Sequence, residues 1–170
     1  AQAVLLLTAQ LTKAAPNAAK PLGSSEWGRF ALWLNGRNVQ PEDLLQNAPE
    51  RLLEGWSDRT ITRERIRRLL DRGLALGLVL EKWERAGLWV VTRSDPDYPA
   101  RLKTRLGARS PAVLFGFGTR RLLGQKAVAV VGSRDASEED LAFAGAIGAT
   151  AAAPGWSIVS GGARGVDQAA

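Results

Sequence analysis

Two stretches near the end of the chain decide its reading: Ala127-Val128-Ala129-Val130-Val131-Gly132-Ser133-Arg134, and Trp156-Ser157-Ile158-Val159-Ser160-Gly161-Gly162-Ala163-Arg164-Gly165. Each is a short apolar run, rich in Val or Ile, that opens into a turn of glycine and serine, the pattern of a buried strand and its exit. The strand ends lie roughly thirty residues apart, the length of a βαβ unit. Its right-handed crossover makes the strands parallel neighbours or near neighbours, so both turns open on one sheet edge, where open α/β sheets bind ligands. Gly132 lets the chain leave the sheet, and Ser137 with Asp140 reads as a capping box on the intervening helix. Turn amides and a helix N-terminus favour an anion, and Arg134 is placed to clamp it. In the second turn Gly161, Gly162 and Gly165 permit close backbone approach, Ser160 offers a hydroxyl, and Arg164 stands where the next helix begins. One such turn is explained by chain reversal alone, whereas two on one edge, each with an arginine, favour an anion site. A nucleotide, a sugar phosphate or a DNA backbone would each satisfy it.

Several chemistries fit poorly. The first turn lacks the three-glycine dinucleotide fingerprint, and the second strand ends in Ser160-Gly161 where an acid would hold ribose hydroxyls. No Gly-Lys-Ser/Thr follows either strand, so a P-loop is absent. With no Cys and no His among 170 residues, disulfides, thiolate metal sites, zinc centres and His-based triads are not expected. No catalytic residue, metal or cofactor is therefore assigned. A formal charge of +6 nudges the partner toward a polyanion. Val4-Leu5-Leu6-Leu7 is too short to cross a bilayer and has no basic flank of a signal peptide, so a cytoplasmic protein without membrane contact is the default.

Upstream, short helices are predicted. Val4 to Leu11 forms one with an apolar face, and Ala14 to Gly23 reads as a loop. Ser24 or Ser25 caps a helix carrying Trp27, Phe30, Ala31 and Leu34 that stops at Asn35-Gly36. Pro41-Glu42-Asp43 opens another. Thr62 to Arg65 starts a helix with Ile66, Leu69, Leu70 and Leu74 on its apolar face; Arg63, Arg67, Arg68 and Arg72 point away as a solvated face with intrahelical ion pairs. Gly73 and Gly77 suggest a split in the leucine-rich stretch that follows. Trp27, Trp33 and Trp89 are assigned to the core. Residues 1–86 thus read as a helical domain. From Gly87 strands alternate with helices, Leu88-Trp89-Val90-Val91 and Pro111 to Gly116 being the first two, so residues 87–170 read as α/β with a parallel sheet. A parallel pair cannot bury both faces alone, and further strands are expected after Ala170.

The two glycine-rich turns, with the upstream Asp95, Asp97-Tyr98-Pro99, Leu102, Pro111-Ala112-Val113-Leu114-Phe115 and Gly118, resemble the DNA-processing protein A (DprA, or Smf) family over about Trp89 to Ala170. The resemblance implies an extended Rossmann-like sheet, preceded here by the small all-helical domain. It also implies a non-enzymatic protein that binds and protects single-stranded DNA and loads the RecA recombinase in natural transformation; a homodimer is compatible with it. Carried onto this chain, the DNA phosphate pocket comprises Gly132, Ser133, Arg134, Ser160, Gly161, Gly162, Arg164 and Gly165. The chain departs from the family at Glu138-Glu139-Asp140, which stand where a Tyr-Gly pair is usual. The rival is a nucleotide- or sugar-phosphate-binding enzyme similar to the lysine-decarboxylase-like phosphoribohydrolases. There Asp167 or Glu138 would serve the ribose, although that family's Pro-Gly-Gly-x-Gly-Thr turn is not found in these residues.

Overall fold

The computed structural model describes residues 1–11, 18–46 and 48–170. The chain divides into two compact units, Ala1–Gly118 and Thr119–Ala170, and among the described residues helices are mixed with two small sheets.

In the first unit α1 (Gln2–Thr8) is buried from Ala3 through Leu7. Its run is apolar at every position, not on one face, and such a helix belongs inside a core. Of the predicted loop, residues 14–17 lie outside the described residues, and 18–23 carry no regular structure. α2 (Ser24–Gly36) turns Trp27, Phe30 and Leu34 inward, as their spacing requires. Its cap is Gly23 and not a serine: the Glu26 carboxylate accepts the Gly23 N–H at 2.9 Å, leaving Ser24 and Ser25 as the first helical residues. α3 (Asp43–Gln46) and α4 (Pro49–Leu52) are single turns. α5 (Arg63–Leu70) is capped by Thr62 Oγ1, which accepts the Arg65 N–H at 3.1 Å, and buries Ile66, Leu69 and Leu70 against Phe30, Leu34 and Trp56. α6 (Gly73–Arg85) runs unbroken through Gly77, so the interruption falls at Asp71–Arg72 instead. Leu74, expected on the apolar face, is 82% exposed. Of the tryptophans, Trp27 and Trp56 are buried, while Trp33 and Trp89 are only half-buried.

Two arginines of this unit act as internal clamps. Arg72 turns inward, against its predicted outward face, and donates to the carbonyls of Leu6 and Ala9, the last of these at 3.2 Å. Those carbonyls end α1, where helical partners run out. Arg65 donates to the carbonyls of Lys20, Pro21 and Thr60 at 2.9, 3.0 and 2.7 Å, and grips Glu26 with bonds of 2.6 and 2.9 Å. Arg67, by contrast, makes the predicted intrahelical pair with Glu64 at 3.0 Å.

The Arg65 hydrogen bond holds the Glu26 carboxyl below its usual range, and Arg29 together with the Thr60 and Ile61 amides does the same for Asp58. A carboxylate whose folded pKa is depressed adds stability above its unfolded value, about 4.3 for Glu and 3.9 for Asp, and loses it as pH falls through the folded value. Melting of the first unit should therefore drop as pH is lowered from about 5 toward 3. Glu26→Gln should cost about 2 kcal/mol at pH 7 and flatten, without removing, that dependence. Thermal melts of both proteins between pH 3 and 7 check this; parallel curves would contradict it.

β1 (Leu88–Thr92) and β2 (Val113–Phe117) pair antiparallel, from Leu88 opposite Phe117 to Thr92 opposite Val113. The single parallel sheet predicted from residue 87 onward is thus not what the first two strands form. Their connection reverses the chain. Asp95 accepts the Thr92 N–H and hydroxyl at 2.7 and 3.0 Å, and buried Tyr98 donates to the Pro111 carbonyl at 2.8 Å. Between them α7 (Ala100–Leu106) ends at Gly107, whose φ of 51° suits glycine. Val90 and Val113 pack on Leu5, Leu6 and Leu76, so the pair belongs to the core of the first unit.

The second unit contains β3 (Ala127–Ala129), α8 (Glu138–Ala152), β4 (Ser157–Val159) and the single turn α9 (Val166–Ala169). β3 and β4 are parallel, with Val128 opposite Ile158, and the Val130 N–H extends the ladder to the Val159 carbonyl at 3.0 Å. This is the predicted βαβ unit. Among the described residues no helix is long and apolar enough to cross a membrane.

Candidate functional site

The turn after β3 (Gly132-Ser133-Arg134-Asp135) and the turn after β4 (Ser160 to Gly165) lie against one another. Gly165, with φ of 92°, rests on the backbone of Ser133 and Arg134. A Cβ there would strike the Ser133 carbonyl and come within 2.9 Å of Arg134 Cα. The Val166 N–H donates to the Ser133 carbonyl at 3.1 Å. Because Arg164 adjoins Gly165, the two arginines sit on touching backbone segments, and both are exposed.

Asp167 ties the arrangement together. One carboxylate oxygen accepts the Gly132 N–H at 3.0 Å and the other accepts the Gly161 N–H at 3.1 Å. The Ser160 hydroxyl donates to the Asp167 carbonyl at 3.0 Å. Gly132 is required for the same approach, since a Cβ on it would meet Val166 at 2.6 Å. Two of the turn amides predicted to cradle an external anion are thus occupied by an internal one.

The N-terminus of α8 is likewise furnished from within. The predicted capping box forms: Asp140 accepts the Ser137 N–H and hydroxyl at 3.1 and 2.7 Å, and Ser137 accepts the Asp140 N–H at 3.2 Å. These bonds from Ser137 hold the Asp140 carboxyl below its usual range. Glu138 and Glu139 add acids to the same first turn. An incoming anion is therefore not drawn to this helix end, contrary to the expectation from the dipole alone.

The cationic groups of the site remain. Arg134 makes no ion pair or hydrogen bond through its side chain among the described residues. Arg164 pairs with Asp135 at 2.5 Å, the partners being 74% and 88% exposed. A pair so exposed is worth at most about 1 kcal/mol, so Arg164 is only lightly held. Sequence reasoning missed Asp135 as the partner of Arg164, although its place beside Arg134 was a signal. It also placed Asp167 beside a ribose only in the rival reading, whereas both of its oxygens serve main-chain amides.

A comparison with curated proteins gives no match to the chain. Residues 89–170, from the second residue of β1 to the end of the chain, match the family model of DNA recombination-mediator protein A. The stretch so matched contains the Asp95 and Tyr98 anchors, the βαβ unit and both arginine-bearing turns, and over it the chain is similar to the DNA recombination-mediator protein A family.

Proposed function

We propose that the chain binds the backbone of single-stranded DNA through Arg134 and Arg164, as a recombination mediator and not an enzyme. Gly132, Ser133, Ser160, Gly161, Gly162 and Gly165 shape the two turns. The observation that carries this reading is the contact of Gly165 with Ser133 and Arg134, which sets two exposed arginines side by side at the end of a parallel strand pair. Two exposed arginines on touching backbone segments suit contacts to successive phosphates of a strand. The similarity of residues 89–170 to the DNA recombination-mediator protein A family supports a role in DNA recombination. Within that role the protein would protect single strands and pass them to the RecA recombinase during natural transformation in the cytoplasm, and it would assemble as a homodimer. β3 and β4 would be two strands of an extended Rossmann-like sheet.

The rival phosphoribohydrolase reading needs a free carboxylate near a ribose, and the double engagement of Asp167 speaks against it. A thermal-shift series separates the two. Short single-stranded oligonucleotides should raise the melting temperature, in proportion to length up to the site size, while nucleoside monophosphates leave it unchanged. Stabilisation by monophosphate alone would overturn the proposal.

A further inference from the structure

The chain's positive charge is concentrated in one segment. Residues 98–134 hold eight of the 23 basic residues and none of the 17 acids, so the remainder has 15 basic against 17 acidic. Within the first unit this segment supplies Arg101, Lys103 and Arg105 on α7 and Arg109 just after it, all but Lys103 exposed. Four arginines elsewhere in the unit are held by carboxylates: Arg29 by Asp58, Arg65 by Glu26, Arg67 by Glu64 and Arg85 by Glu81. Arg93, Arg105 and Arg109 have no ion pair among the described residues.

Beside this cationic turn lies a pocket of about 310 Å³, within the size range of small-ligand sites. α2 forms one wall with Trp27, Ala31 and Leu34, and Arg93, Gly107 and Ala108 form the other. Asn35 and Gln40 contribute amide groups at the lining. The walls are in direct contact at one point, for a Cβ on Gly28 would lie 2.7 Å from the Ala108 carbonyl. Apolar wall, side-chain amides and an arginine in one concavity, with two more arginines within two residues of its Gly107–Ala108 edge, are the parts that a single strand uses: a hollow for an unstacked base and cations for the flanking phosphates. A bilayer surface would need a convex or wedge-like apolar face, which a hollow is not.

We propose that this pocket and the Arg93, Arg105 and Arg109 cations around it form a second contact site for single-stranded nucleic acid, which takes one unstacked nucleotide. The inference rests on the reading of the chain as a single-strand binder and adds a base-holding site to the phosphate-holding turns. Neither the pocket nor its cations belong to the residues of those turns.

The test uses fluorescence anisotropy with a labelled oligothymidine and an abasic strand of equal length, on the full chain, with circular dichroism to verify folding. Arg105→Ala with Arg109→Ala should weaken oligothymidine binding about ten-fold, and should shrink the salt slope by about 1.4, the value for two phosphates on a single strand. Gln40→Trp, at an exposed position of the lining, should plug the pocket and erase the preference for the base-bearing strand over the abasic one. If both folded variants bind as the unaltered protein does while Arg134→Ala with Arg164→Ala fails to bind, this proposal falls and the primary site stands. If the Arg134 and Arg164 variant also binds normally, the primary reading falls instead. Loss of binding to phosphatidylglycerol vesicles in the Arg105 and Arg109 variant, with oligothymidine binding unaltered, would assign the cations to a bilayer and overturn the proposal.

Discussion

Arg134→Ala combined with Arg164→Ala should lower affinity for a single-stranded oligonucleotide by a hundred-fold or more at moderate salt. Each charge-assisted contact to phosphate contributes roughly 1.5 to 3 kcal/mol, and about 1.4 kcal/mol is a factor of ten. Arg164 must first leave Asp135, a cost of at most about 1 kcal/mol for so exposed a pair. The logarithmic salt slope should fall by about 1.4, for two phosphates no longer neutralised. Asp135→Asn moves the other way, because Arg164 then has no internal partner to abandon, and a few-fold gain in affinity is expected. Anisotropy titrations at several salt concentrations read all of these. A folded double variant with the slope and affinity of the unaltered protein would refute the assignment of these turns to phosphate.

Asp167→Ala should weaken binding about ten-fold or more, although the residue contributes no contact to the strand. Coulomb's law alone predicts the reverse. Deleting a negative charge beside the two arginines proposed to bind phosphate should tighten the complex, by up to about 1 kcal/mol at the protein surface. The geometric role has the opposite sign: without the carboxylate, the Gly132 and Gly161 amides lose their common acceptor, and the turns bearing Arg134 and Arg164 drift apart. Asp167→Asn keeps one acceptor oxygen and should recover part of the loss. Hydrogen exchange at Gly132 and Gly161 should quicken in the alanine variant and less so in the asparagine variant. Tighter binding by Asp167→Ala, with exchange unaltered, would reduce Asp167 to a bystander.

The βαβ unit was legible because its cues are local. The apolar runs before Gly132 and Ser160, and Ser137 three residues before Asp140, each state their role within a few positions. The antiparallel return of β2 was not legible, because it depends on Tyr98 reaching Pro111 and on the backbone of Gly107. Gly77 looked like a break, but a helix-interior glycine costs only about 1 kcal/mol relative to alanine. Burial of neighbouring Leu76 outweighs that. Arg65 and Arg72 were unreadable as clamps, since Glu26 and Leu6 lie 39 and 66 residues away. At the site the residue types were visible from sequence, and the internal occupation of their amides was not. Asp167 meets Gly132 across 35 positions, and only the folded crossover brings them together.

A turn that orders only when its anion arrives spends part of the binding energy on that ordering. Here the Asp167 carboxylate plays the anion's part permanently, so the two turns are assembled before any strand approaches. On the proposed reading, a strand would meet a finished surface with one cation loose and one lightly tethered. Capture would then need no rearrangement slower than the exchange of an exposed ion pair. Association would be set by diffusion and electrostatic attraction, and differences among strands would be expressed in how long they stay.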